Sequence, residues 1–188
     1  MQHTGTQVIE TARLILRPFV TEDASAMFHN WANDPEVTRF LTWPPHGNVS
    51  VTESLLHTWI TSYAEKNHYL WAIVLKELNE PIGNIAVVNF DAAPDIPEIG
   101  YCLGRAWWHQ GYMTEALSAV IRTLLTVNGC AAVTAKHDVD NPNSGGVMRK
   151  SGMRMTGVTH GVPNNQGECD AAVYTITRDE YKSLHQGE

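Results

Sequence analysis

Hydrophobic positions in this chain change period several times, and each change marks an element. Residues 12–18 (ARLILRP) put Leu14 and Leu16 on one side of an extended segment, the period of two of a half-buried strand. Behind it, Thr21 as N-cap with Glu22 and Asp23 in the first turn predicts a helix whose apolar stripe is Ala24, Met27, Phe28 and Trp31. Ser50 and Glu53 have the spacing of a capping box, and Leu55, Leu56, Trp59, Ile60 and Tyr63 follow at helical intervals. Residues 69–75 (YLWAIVL) and 82–90 read as the two strands of a hairpin. Gly83 inside the second strand marks a bulge or a close backbone approach. A loop with two prolines is expected over 91–97.

The most informative change of period lies in residues 98–116, EIGYCLGRAWWHQGYMTEA. Ile99, Tyr101 and Leu103 alternate with Glu98, Gly100 and Cys102 as a strand does. Ala116, Leu117, Val120, Ile121, Leu124 and Leu125 then recur at helical spacing. A strand that enters a helix through a short loop containing Gly104 and Gly111 aims unpaired backbone N–H groups at one place, which the helix dipole makes attractive to phosphate.

Asn128 and Gly129 stop that helix, and 131–137 returns as a strand. Asn141 as N-cap with Pro142 at the first helical position opens a short helix that Gly152 ends. Residues 153–160 and 171–177 read as two strands joined by a polar loop over 161–170, and 178–184 as a helical turn or two. This order predicts a mixed α/β sheet. It is not the alternation of a Rossmann domain, and neither a G-x-G-x-x-G nor a P-loop pattern occurs.

Composition narrows the function classes. A chain of 188 residues, 43% hydrophobic and 18% charged, suits one soluble globular domain over 1–188. Its apolar runs are too short to span a bilayer and its N-terminus lacks an apolar signal core, so a cytoplasmic protein without membrane contact is expected. Cys102, Cys130 and Cys169 stand apart with no C-x-x-C spacing. The histidines form no H-x-x-x-H pair, so neither a disulfide framework nor a metal site is expected. A formal charge of −7 argues against nucleic acid as a partner. A polyanionic ligand would then be held locally, by backbone N–H groups helped by Arg105, His109, Arg149 or Lys150. The acidic remainder suits a cationic acceptor.

Two stretches carry a resemblance to a known family. HQGYMTEAL (109–117) resembles the acyl-coenzyme A pyrophosphate loop of the GCN5-related N-acetyltransferases, the GNAT superfamily, and is most similar to the Rim-type branch that acetylates N-termini of ribosomal proteins. The superfamily pattern Gln/Arg-x-x-Gly-x-Gly/Ala keeps Gly111 here but has Trp108 first and Met113 last. The Rim-type variant Trp-x-x-Gly-Tyr-x-Thr-Glu-Ala fits both departures. NPNSGGVMRKSGM (141–153) resembles the GNAT segment Asn-x-x-Ser/Ala followed by a helix ending in Lys-x-Gly-Phe. Asn141, Ser144, Lys150 and Gly152 match, and Met153 replaces the aromatic.

The resemblance covers essentially the whole chain. It implies a largely antiparallel central sheet of about seven strands flanked by helices, the GNAT fold. It implies transfer of an acetyl group from acetyl-coenzyme A to a primary amine, a protein N-terminus or a small molecule, by direct attack on the thioester. It assigns the cofactor to His109, Gln110, Gly111, Tyr112, Met113 and Thr114 in the loop. Cys102 and Leu103 are assigned to it on the strand, as oxyanion donors where neighbouring strands splay. Asn141 and Ser144 complete the cofactor set, with a plain helix cap as the other reading of Asn141.

Glu98 is the candidate base, directly or through water, and its other reading is an exposed strand-end carboxylate. Ser144 is the candidate acid or only a cofactor contact, because Met148 stands where many relatives have a tyrosine. Trp43, Phe90 and Tyr101 are candidates to contact the acceptor; Trp43 could equally cover the core edge. A non-catalytic acyl-coenzyme A binding module is the alternative function, and an exposed sheet edge could pair two copies.

Overall fold

The computed structural model describes residues 1–90, 93 and 95–185. Of the loop expected over 91–97, residues 91, 92 and 94 lie outside the described residues. Eight strands form one sheet: β1 (Ile9–Glu10), β2 (Leu14–Arg17), β3 (Leu70–Leu75), β4 (Glu80–Asn89), β5 (Glu98–Leu103), β6 (Ala132–Asp138), β7 (Arg154–Asn164) and β8 (Gly167–Thr177). Their spatial order is β1-β2-β3-β4-β5-β6-β8-β7. Every neighbouring pair is antiparallel except β5 and β6. The architecture is the mixed, largely antiparallel sheet flanked by helices that was expected, with eight strands where about seven were expected. The additional strand is the two-residue β1, too short to leave an alternating pattern.

The sheet divides two apolar cores. On one side α4 (Tyr112–Arg122) and α5 (Pro142–Lys150) pack with Leu14, Leu16, Trp71, Ile73, Ile99 and Leu103. On the other, α1 (Ala24–Met27), α2 (Pro35–Thr38) and α3 (Val49–Ser62) pack with Leu70, Ala72, Val74 and Cys102. Coverage on both faces explains why β3 is buried at all six positions and reads as an unbroken apolar run. No helix among the described residues is long and apolar enough to cross a membrane.

Several local expectations are corrected. Thr21 does not cap; Asp23 instead accepts from the Val20 N–H at 2.9 Å and pairs with Arg17. α1 runs on as a π-helical turn, Phe28–Ala32. Asn48, not Ser50, caps α3, accepting from Val51. The loop expected over 161–170 is mostly strand, because β7 and β8 extend as a long hairpin turning between Asn164 and Gly167. Gly83 meets both expectations held for it: the β3–β4 register shifts beside it, and a Cβ there would run into the Cys102 carbonyl oxygen. The chain after α5 closes with α6 (Arg178–Leu184), capped by Thr177 and Glu180.

Candidate active site

The parallel pair at the sheet's centre is brief. β5 and β6 are in register only at Glu98–Thr134 and Ile99–Ala135; beyond them β5 pairs with β4 alone and β6 with β8 alone. The two strands therefore splay from Gly100 onward. Gly104 donates to the Ile82 carbonyl, so by alternation Cys102 also faces β4, while the backbone groups of Tyr101 and Leu103 face the splay. Leu103 is thus placed as a backbone donor, and its carbonyl already accepts the Trp108 indole N–H at 2.7 Å. Cys102 is not so placed. Its thiol donates to Asn84 on the far face, and burial pushes its pKa up to about 12.

At the end of β5 the chain enters α4 through two left-handed residues, His109 (φ 60°) and Gly111 (φ 81°). Glycine adopts this conformation without the Cβ penalty, whereas His109 pays it. Gly111 is the N-cap of α4, and no side chain caps the helix. The first-turn N–H groups are thereby left for an outside acceptor, as an anion-binding helix start requires. Of the other loop residues, Gln110 returns its amide to the Ala106 carbonyl, and Tyr112 lies under the Arg13 guanidinium at 4.2 Å. Met113 is buried in the core, and the Thr114 carbonyl accepts from Ser151. Met113 can meet a ligand only through its backbone.

Two of the four cations expected to assist have other partners. Arg105 pairs with Asp34 at 3.0 Å and Arg149 donates to the Tyr174 hydroxyl at 2.9 Å, while His109 and Lys150 are exposed. A cation that reaches the loop from outside it, Arg13 just before β2, carried no local signal because its contacts lie about a hundred residues away in sequence. It donates to the Gln110 carbonyl at 3.0 Å and pairs with Glu115 at 2.7 Å.

Across the splay, Tyr101 meets the first turn of α5. Its hydroxyl lies 3.0 Å from both the Ser144 carbonyl and the Ser144 Oγ. The phenol has one hydrogen; given to the carbonyl, it leaves the Ser144 hydroxyl as donor to the phenol oxygen. Burial raises the Tyr101 pKa, which keeps it protonated. Asn141 caps α5 through its side-chain oxygen, accepting from Ser144. Its amide nitrogen has no partner among the described residues. Met148, in place of a tyrosine, is fully buried core.

Glu98 is buried rather than an exposed strand-end group, and Lys136 on β6 approaches its carboxylate at 3.1 Å. Further polar contacts join the end of β6 to the β7–β8 turn, and that turn to the segment after α2. Asp138, at the end of β6, accepts from Asn164 at 2.8 Å, and Asn165 donates to the Leu41 carbonyl at 2.6 Å. The Asp34–Arg105 pair joins the start of α2 to the segment after β5. Trp43 and Phe90 are not brought together: Trp43 packs on the α1–α3 core and Phe90 on the α4 core. A cavity of about 420 Å³ includes Phe90 with Glu65 and His68, but neither Trp43 nor Tyr101 lines it. Among the described residues, no group of three or more His, Cys, Asp or Glu is placed to hold a metal ion.

Comparison with known proteins bears on the family and the fold. The family model of the acetyltransferase (GNAT) domain matches residues 13–154. The uncharacterized N-acetyltransferase YoaA of Bacillus subtilis (strain 168) is 30% identical over 172 residues, which cover 91% of this chain and 97% of YoaA. Among solved structures, a GNAT-family acetyltransferase from Bacillus anthracis superposes with a TM-score of 0.80 at 21% identity, over 92% of this chain and 99% of that one. RimL, the ribosomal L7/L12 α-N-protein acetyltransferase solved with coenzyme A, gives 0.81 at 20% identity, over 93% and 99%.

Proposed function

From the premise that this chain belongs to the GNAT acetyltransferase family and is an N-acetyltransferase, we propose that it carries acetyl from acetyl-coenzyme A to a terminal primary amine, as the Rim-type branch does. The observation that carries this reading is the uncapped start of α4 beside the β5–β6 splay. Both features suit a cofactor with a phosphate end and an extended arm. Gly111 to Thr114 would hold the pyrophosphate through backbone N–H groups. Leu103 and the amide nitrogen of Asn141 would bond the arm. The bound cofactor supplies an activated acetyl thioester.

The protein's own groups divide the remaining work. An amine must shed a proton before it attacks, and Glu98 takes that proton, directly or through water. The Leu103 N–H faces the side where oxyanion charge would develop. Ser144 holds its hydroxyl toward Tyr101 and so serves better as a fixed polar contact than as an acid; a departing thiolate, with a thiol pKa of about 8.5, places little demand on one. Cys102, buried and protonated, is a poor nucleophile, which favours direct transfer over a covalent relay.

Either acceptor class, a peptide N-terminus or a small amine, presents the primary amine that this reading requires. RimL, whose acceptor is a protein N-terminus, shares the fold, and the fold alone leaves both acceptors open.

Thermal unfolding with acetyl-coenzyme A tests the cofactor reading. A ligand at a hundredfold its dissociation constant stabilises by about 2.7 kcal/mol, roughly 5 to 10 °C for a chain of this size. Gly111→Asp, which puts an anion at the helix start, should remove the shift. No shift for the unsubstituted protein at any concentration would overturn the reading.

A further inference from the structure

We infer that Arg13, just before β2 and outside both family-like stretches, is the positioning residue of the α4 loop and the side chain that meets the cofactor's pyrophosphate. The inference rests on the cofactor reading above and adds a group that neither motif contains.

The contacts define the role. Arg13 Nη1 donates to the carbonyl of Gln110, the residue held between left-handed His109 and Gly111. Arg13 Nε donates to Glu115 in the first turn of α4, and the guanidinium plane lies over Tyr112. One side chain therefore grips the loop at its middle and the helix at its start. Its orientation is fixed in turn, because Glu115 also accepts from the Arg13 backbone N–H at 2.8 Å and from Thr11 Oγ1 at 2.6 Å. Burial works against the Glu115 charge, yet these bonds hold its pKa below the ordinary value. The anchor is an anion at working pH.

Two of the guanidinium's three nitrogens are thus committed. The third, Nη2, has no acceptor among the described residues and lies 3.4 Å from where a Cβ on Gly111 would stand. It is aimed at the uncapped helix start, where a phosphate would lie. A planar fork with two prongs fixed and one offered matches phosphate recognition by arginine, and lysine cannot make all three contacts at once. Arg13 is half exposed, so its free nitrogen is reachable from solvent.

The test compares two probes on the whole protein: coenzyme A, which carries the pyrophosphate, and pantetheine, which does not. Arg13→Met, which keeps the apolar stem, should weaken coenzyme A by about tenfold or more in titration calorimetry, the size of one lost charge-assisted bond. Pantetheine binding should stay unchanged. Arg13→Lys should recover only part of the loss. An equal loss for both probes would mean a general packing defect, and no loss for either would mean no contact; each overturns the inference. If the unsubstituted protein bound coenzyme A no more tightly than pantetheine, the loop reading itself would fall, and Arg13 with it.

Discussion

A carboxylate held against an ammonium has a fixed direction, which is what a base at the floor of a cleft needs. Glu98 has this arrangement: it is buried where β5 and β6 still pair, with Lys136 at 3.1 Å from the neighbouring strand. Glu98→Gln keeps the size and a hydrogen-bonding oxygen but removes the proton acceptor. Its turnover should fall by about 10²- to 10⁴-fold, the range of general acid–base catalysis, with the coenzyme A dissociation constant unchanged. Full turnover across pH in a steady-state assay would remove Glu98 from the mechanism. The residue could be nominated from its place at the start of a strand. Its partner could not, since Lys136 is one polar position in an alternating strand and only the sheet order brings it beside Glu98.

At the scale of elements, α5 shows how close packing rests on a single missing Cβ. His137 donates from Nδ1 to the Asp138 carbonyl at 2.8 Å, while its buried Nε2 has no hydrogen-bond partner. Gly145 faces that nitrogen, and a Cβ added there would stand 2.5 Å away. Gly145→Ala gains about 1 kcal/mol of helix propensity. It also forces α5 off β6, at about 1 to 3 kcal/mol for overpacking. The clash should win, because the obstructing group is a ring held by Asp138 and packed at a tilt against Tyr174. Chemical denaturation should show a net loss of stability, and Gly146→Ala, with only the end of the Arg149 side chain within 4 Å, should show none. The helix's caps were legible, being local chemistry at Asn141, Pro142 and Gly152. The glycine's purpose was not, since it lies in another strand.

For the whole molecule, two histidines tie stability to pH. His46 and His68 flank α3, and burial lowers the pKa of each below the ordinary 6.5. Both are neutral in the fold, whereas the unfolded chain takes up protons at about pH 6.5 and below. Stability contributed by these sites is therefore present above pH 6.5 and declines as pH falls from there toward the lowered folded values. The denaturation midpoint should be lower at pH 5.5 than at pH 8. A His46→Gln, His68→Gln double variant should flatten that difference, and an equally steep slope would assign it to other groups. The effect is modest because both rings are only partly buried.

What the sequence determined by itself was local in origin: periods that select strand or helix, caps and glycines that end them, and two contiguous stretches that resemble the GNAT cofactor segments. These depend on residues a few positions apart, so a linear reading contains them. Only the tertiary structure decided which backbone groups of β5 face the splay, favouring Leu103 over Cys102 of the two candidate donors. It also separated Trp43 from Phe90 across the sheet and gave Glu98 its Lys136. Arg13 belongs with these. Its partners Gln110 and Glu115 are about a hundred residues distant, and no pattern in ARLILRP encodes a contact that exists only once β2 lies beside the start of α4.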